Sequence, residues 1–133
     1  MAQISVVIPV FNAEKCLEEL HARLTAALCT ITEDYEIILV EDCGEDRSWE
    51  IICELSLRDK RVKGIQFSRN FGQHAATLCG VSKAKGEWIV TMDDDLEQRP
   101  EDLSTLLQKA REGYSIVYGV YPQRTHTLWR NLT

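Results

Sequence analysis

Residues 4–31 read ISVVIPVFNAEKCLEELHARLTAALCTI, and two periodicities meet inside them. Ile4–Ile8 is an unbroken apolar run rich in β-branched residues, the pattern of a strand buried on both faces. Beyond Asn12 the apolar positions fall at Leu17, Leu20, Leu24, Leu28 and Ile31, the spacing of one helix face. A buried strand followed by an amphipathic helix is the first half of a βαβ unit. Asn12 is placed to cap that helix.

The alternation repeats. Ile37–Val40 is a second buried strand, and Ile51, Ile52 and Leu55 mark a helix that Asp46 or Ser48 could cap. Val62–Phe67 reads as a third strand. Gly72 to about Lys83 reads as a helix carrying Ala75, Ala76, Leu78 and Cys79, and Glu87–Met92 as a fourth strand. Pro100 suits the first turn of a helix with Leu103, Leu106, Leu107 and Ala110; Gly113 ends it, and Ser115–Tyr118 is a fifth strand. This order predicts an α/β fold: a Rossmann-like, doubly wound, mostly parallel sheet with helices on both faces. Residues 1–133 form one domain, since 133 residues at 44% hydrophobic content suffice for one core.

Charge narrows the partners. Acids outnumber bases 21 to 15, a net −6, which disfavours nucleic acid. Five cysteines at positions 16, 29, 43, 53 and 79 include no C-x-x-C, so a reducing compartment fits better than a disulfide framework. The N-terminus lacks a basic segment and Pro9 interrupts its apolar run, so neither a signal peptide nor a membrane span is expected, and the chain as given is expected to be soluble.

Ligands of such sheets bind beyond the carboxyl ends of the strands. Those ends read Pro9-Val10-Phe11-Asn12, Glu41-Asp42, Ser68-Arg69-Asn70-Phe71-Gly72 and Asp93-Asp94-Asp95. Carboxylates gathered on one rim raise one another's pKa values unless a cation joins them, and hard oxygen donors suit Mg²⁺ or Mn²⁺. The alternative is that the aspartates before Pro100 serve only a helix dipole and solvent. Asp46 is better read as a turn or cap residue. Arg69 could be a surface ion-pair partner, Phe11 a core residue or a ring stacked on a base, and His74 an ordinary helix residue. No G-x-G-x-x-G, G-x-x-x-x-G-K-[ST] or G-x-S-x-G motif occurs, which disfavours classical dinucleotide, P-loop and nucleophile-elbow chemistry.

At this point a family resemblance enters. ISVVIPVFNAEKCLEEL resembles the opening of family 2 glycosyltransferases with the GT-A fold, LVEDCGEDRS their second acidic signature, and VTMDDDLEQRPEDL their D-x-D segment. SRNFGQHAATLCGVSKAKGEW and YGVYPQRTHTLWRNLT are similar to the polyprenyl-phosphate glycosyltransferase branch, which includes dolichol-phosphate mannose synthases and undecaprenyl-phosphate glycosyltransferases. The likeness runs over essentially the whole chain. It implies a nucleotide-sugar pocket lined by Pro9, Phe11 and Asn12, with Asp42 on the base and Arg69 and Asn70 near the nucleotide. Asp93 and Asp94 belong to the same nucleotide-sugar-binding segment. A Mg²⁺ or Mn²⁺ ion is implied on Asp93, Asp95 and Glu97, with Asp95 the catalytic ligand.

The sequence departs from the family in places. Glu41 replaces the first of two aspartates, Cys43-Gly44 stand for Gly-Ser, Ala13 replaces a frequent glutamate, Asp94 a small or neutral residue, and Arg99 a proline. The implied reaction is metal-dependent, inverting transfer of a sugar from a nucleotide-sugar to a polyprenyl phosphate. The implied partners are the donor, a lipid-phosphate acceptor and a membrane surface reached through sequence beyond residue 133, with homo-oligomerisation left open. Residues 1–133 would be the donor side of a longer domain, inactive or nearly so alone, at the cytoplasmic face of a membrane. Arg124, Trp129 and Arg130 could begin an amphipathic segment there, or belong to a cut tail. Three other readings compete: a family 2 enzyme with a saccharide hydroxyl acceptor in cell-surface polysaccharide synthesis, a nucleotide-binding fragment without turnover, and a haloacid-dehalogenase-like phosphatase. The last is disfavoured because D-x-D follows the fourth strand, not the first.

Overall fold

A computed structural model describes residues 3–113. The expected fifth strand, Ser115–Tyr118, and the tail residues Arg124, Trp129 and Arg130 lie outside them. The elements run β1 (Ile4–Val10), α1 (Leu17–Cys29), β2 (Tyr35–Glu41), α2 (Ser48–Arg58), β3 (Val62–Gln66), α3 (Gln73–Lys83), β4 (Trp88–Thr91), a 3-10 turn (Pro100–Asp102) and α4 (Leu103–Arg111). The strands form one parallel sheet in the order β3-β2-β1-β4. This is the expected α/β architecture, with helices on both faces.

β1 is longer than its apolar run predicts, because Pro9 does not end it. Backbone groups of a parallel strand point alternately to its two neighbours. Val7 accepts a bond from Met92 on the β4 side, and Val10 accepts one from Asp42 on the β2 side. Pro9 therefore faces the β4 side, past the last β1–β4 pair, Val7↔Thr91, where no ladder donor is required.

One face of the sheet carries α1, α2 and α4. Leu17, Leu20, Leu24 and Leu28 of α1 are at most 1% exposed and meet Ile4, Val6, Ile8, Val10, Ile37 and Leu39. Each buried leucine contributes about 2 kcal/mol of transfer free energy, so the helix is held by its stripe more than by its ends. The other face carries α3, which packs Ala76 and Gly80 on Val7, Ile38 and Val40. A Cβ on Gly80 would overlap the Val7 side chain, so glycine there sets how closely α3 approaches. Leu78 of α3 is 70% exposed.

Two expected caps are corrected. Asn12 lies outside α1, which starts at Leu17 after Cys16, and its side chain binds another loop. At α2, Asp46 Oδ1 accepts the Ser48 N–H at 2.9 Å, whereas the Ser48 hydroxyl turns away and accepts the Ala13 N–H at 2.9 Å.

Candidate nucleotide site at the strand ends

The strand order reverses between β1 and β4. From β1 the chain crosses one face to β2, and it reaches β4 through α3 on the other. A crevice opens at such a switch point. Here it is an open cavity of about 470 Å³ lined by Pro9, Val10, Phe11, Asp42, Asn70, Gly72, Gln73, Asp93, Asp94 and Asp95.

Three non-glycine residues among those described hold left-handed backbones: Asn12 (φ 50°), Cys43 (φ 58°) and Leu96 (φ 64°). Each follows the carboxyl end of a different strand, β1, β2 or β4. The conformation costs an ordinary residue roughly 1–2 kcal/mol. Strain gathered at one rim is the usual mark of a functional surface. The loops are cross-tied there: Asn12 Oδ1 accepts the Glu45 N–H at 2.9 Å, and Asp46 Oδ2 accepts the Glu14 N–H at 3.0 Å.

Asp42 is 3% exposed, and both carboxylate oxygens are engaged within the protein. Oδ1 accepts the Phe71 N–H at 2.8 Å and Oδ2 the Gly72 N–H at 3.0 Å. The Asn70 side-chain amide donates to the Asp42 carbonyl at 3.1 Å. Asp42 thus folds the loop that enters α3, where Gly72 takes a φ of 99° that disfavours any side chain. Glu41 is also buried and accepts the Gly44 N–H at 2.6 Å.

The three consecutive aspartates separate. Asp94 Oδ2 accepts the Phe11 N–H at 2.9 Å and ties β4 to β1 across the crevice. Burial pushes its carboxyl above the ordinary range, the charges of Asp95 and Asp93 add to the rise, and the Phe11 N–H opposes it. Asp93 is held at both ends: its N–H donates to Gln98 Oε1 at 2.8 Å, and Oδ1 accepts from Gln73 Nε2 at 3.1 Å. Asp95 is exposed, and its Oδ1 accepts the Glu97 N–H at 3.1 Å.

Of the residues expected at the site, Pro9, Phe11, Asp42, Asn70, Asp93, Asp94 and Asp95 line the cavity, with Phe11 49% exposed at its mouth. Asn12, Arg69 and Glu97 do not. Asn12 braces two loops, and the Arg69 guanidinium lies 4.7 Å over the Phe71 ring. Gln73 and Gln98 were not foreseen. Gln73 could have been suspected, since it follows the glycine that opens a helix at the rim; Gln98 carries no local signal.

Among the described residues, no three His, Cys, Asp or Glu side chains are placed to hold a metal by themselves. The expected trio Asp93, Asp95 and Glu97 is therefore not a ready cage. The donors are all hard oxygens in an open cavity, which fits an ion taking one or two carboxylates and completing its shell with phosphates and water.

The comparisons bear on the fold and the family. A solved mannosyltransferase, PcManGT of Pyrobaculum calidifontis, in complex with GDP-Man and Mn²⁺, matches 80% of this chain and 31% of its own at a TM-score of 0.70 and 16% identity; that likeness concerns the fold alone. The glycosyltransferase YkcC of Bacillus subtilis is 43% identical over 92% of this chain. An undecaprenyl-phosphate 4-deoxy-4-formamido-L-arabinose transferase of Pseudomonas aeruginosa is 39% identical over 96% of it. The chain spans 38% of the length of each of these two relatives. The model of glycosyl transferase family 2 matches residues 5–131, and the chain belongs to that family.

Proposed function

We propose that this chain is the donor-binding part of a glycosyltransferase that moves a sugar from a nucleotide-sugar to a polyprenyl phosphate, with inversion at the anomeric carbon. The observation that carries the proposal is the carboxylate-lined cavity at the β1–β4 switch point. Relatives named as undecaprenyl-phosphate transferases favour the lipid-phosphate acceptor over a saccharide hydroxyl. Residues 1–133 are then a single nucleotide-sugar-binding domain, with the acceptor side supplied by further sequence of the kind its relatives have.

In this reading the half-exposed Phe11 ring covers the base, and Asn70 and the Asp42 loop shape that end of the cavity. Asp95 and Asp93 would hold Mg²⁺ or Mn²⁺, with Glu97 close by in sequence. When bound, the ion would supply positive charge against the donor's diphosphate. An acceptor phosphate oxygen forms the new bond to the anomeric carbon from the opposite side, and the nucleoside diphosphate leaves with the electron pair. A phosphate oxygen is already ionised near neutral pH, so no side chain is assigned as base.

Calorimetric titration of UDP and of GDP, each with and without Mn²⁺, tests the proposal. Mn²⁺ should tighten one nucleotide at least about tenfold, and Asp95→Ala should remove that metal-dependent part. Absence of binding by either nucleotide under either condition overturns the reading. An unchanged titration of Asp95→Ala removes Asp95 from the site.

A further inference from the structure

We propose that Gln73 is a positioning residue for Asp93, setting how that carboxylate is presented to a metal-bound diphosphate. The inference rests on the nucleotide-sugar reading of the cavity and assigns a residue outside the acidic motif. Gln73 is the first residue of α3 and lines the same cavity as Asp93, Asp94 and Asp95. Its Nε2 donates to Asp93 Oδ1 at 3.1 Å, twenty residues away in sequence. The backbone just before it is fixed: the two Asp42 oxygens hold the N–H groups of Phe71 and Gly72, and the Ala76 N–H closes the first helical turn on the Gly72 carbonyl. A chain of contacts thus leads from the end of β2, through the start of α3, to the end of β4.

The chemistry of the contact explains why an amide suits the position. A lysine or arginine would also donate to Asp93, but it would neutralise the carboxylate and compete with a divalent cation for it. A carboxamide donates without a formal charge, so Asp93 keeps its own. Gln98 fixes the Asp93 backbone from the other side, with its Oε1 on the N–H at 2.8 Å. Gln73 and Gln98 each meet Asp93 through a neutral group.

Two measurements test this on the full 133-residue chain. In the free protein, the side-chain amide resonances of Gln73 should move when Asp93 is changed to Ala; unmoved resonances overturn the contact whether or not the cavity takes nucleotide. In the Mn²⁺ titrations, Gln73→Ala should weaken the metal-dependent binding of UDP or GDP on the order of three- to tenfold. Metal-free binding should weaken less than that, and the melting temperature should stay as it is. Gln73→Lys should likewise keep the wild-type melting temperature but shift half-saturation to higher Mn²⁺. The Gln73→Ala effect should vanish in an Asp93→Ala background. Equal losses with and without metal, or additive losses in the double variant, overturn the proposal. Failure of the wild-type chain to bind either nucleotide sinks the cavity's reading and with it the ligand half of this inference, while the resonance test still decides the contact.

Discussion

Two carboxylates at opposite ends of the same sheet, Glu36 and Asp94, are treated in opposite ways. At the amino end Glu36 is 2% exposed and fully partnered. It accepts the Ser5 hydroxyl at 2.6 Å, the Lys85 N–H at 2.7 Å and Lys63 Nζ at 3.0 Å. Burial alone would raise its pKa, but those donors outweigh it and the carboxyl is held below its ordinary value. At the carboxyl end Asp94 has one backbone donor and two negative neighbours, and its carboxyl is pushed up. Glu36 is satisfied from within. Asp94 stands beside two further carboxylates, a concentration of negative charge that a cation-bearing ligand would relieve.

Breaking the amino end should have the largest effect on stability. Glu36→Ala strands the buried Ser5 hydroxyl and takes the acceptor from the Lys85 N–H, and should cost about 2–3 kcal/mol in denaturant unfolding. Nucleotide affinity of the folded fraction should not change. A loss within the error of the measurement would mean that the network is decorative. The depressed Glu36 pKa also fixes a sign. Its contribution is present above the unfolded value of 4.5 and is lost as pH falls through the folded value.

Asp94 carries the opposite sign. Its folded pKa lies above the unfolded 3.8, so its stabilising contribution is present below that value and lost as pH rises through the folded one. Asp94→Asn keeps an oxygen for the Phe11 N–H and removes the charge. The melting temperature at neutral pH should rise slightly, and Asp94→Ala, which removes the acceptor, should melt below Asp94→Asn. A melting temperature lowered by Asn would contradict the comparison.

The smallest effect belongs to an exposed pair. Arg23 Nη2 meets Glu101 Oε1 at 2.7 Å, and the Arg23 guanidinium holds the Glu101 carboxyl down to about 2. Solvent and salt screen such pairs, so Arg23→Ala should leave the melting temperature nearly unchanged. A large drop would show that this link between α1 and the 3-10 turn matters more than its exposure suggests.

The sequence made the sheet legible because Ile4–Ile8, Ile37–Val40 and the α1 leucines each satisfy a local period. Pro9 misled only on length, since its harmlessness depends on where β4 stops. The caps were misread because Asn12 and Ser48 have partners 33 and 35 residues away, and propensity speaks only for near neighbours. The acidic rim was visible in the strand ends. The use of Asp94 was not, because its partner, Phe11, is 83 residues away. Asp42 shows the same limit: its place at the end of β2 was readable, but its hold on the Phe71 and Gly72 amides required the fold.

The contrast between the two ends is tested most directly by mapping amide resonance shifts while UDP or GDP is added with Mg²⁺. The shifts should gather at Phe11, at Asp42 and Cys43, at Asn70 to Gln73 and at Asp93 to Asp95, and leave Ser5, Glu36, Lys63 and Lys85 unmoved. Shifts centred on the Glu36 end, or none at the strand ends with either nucleotide, would contradict the account.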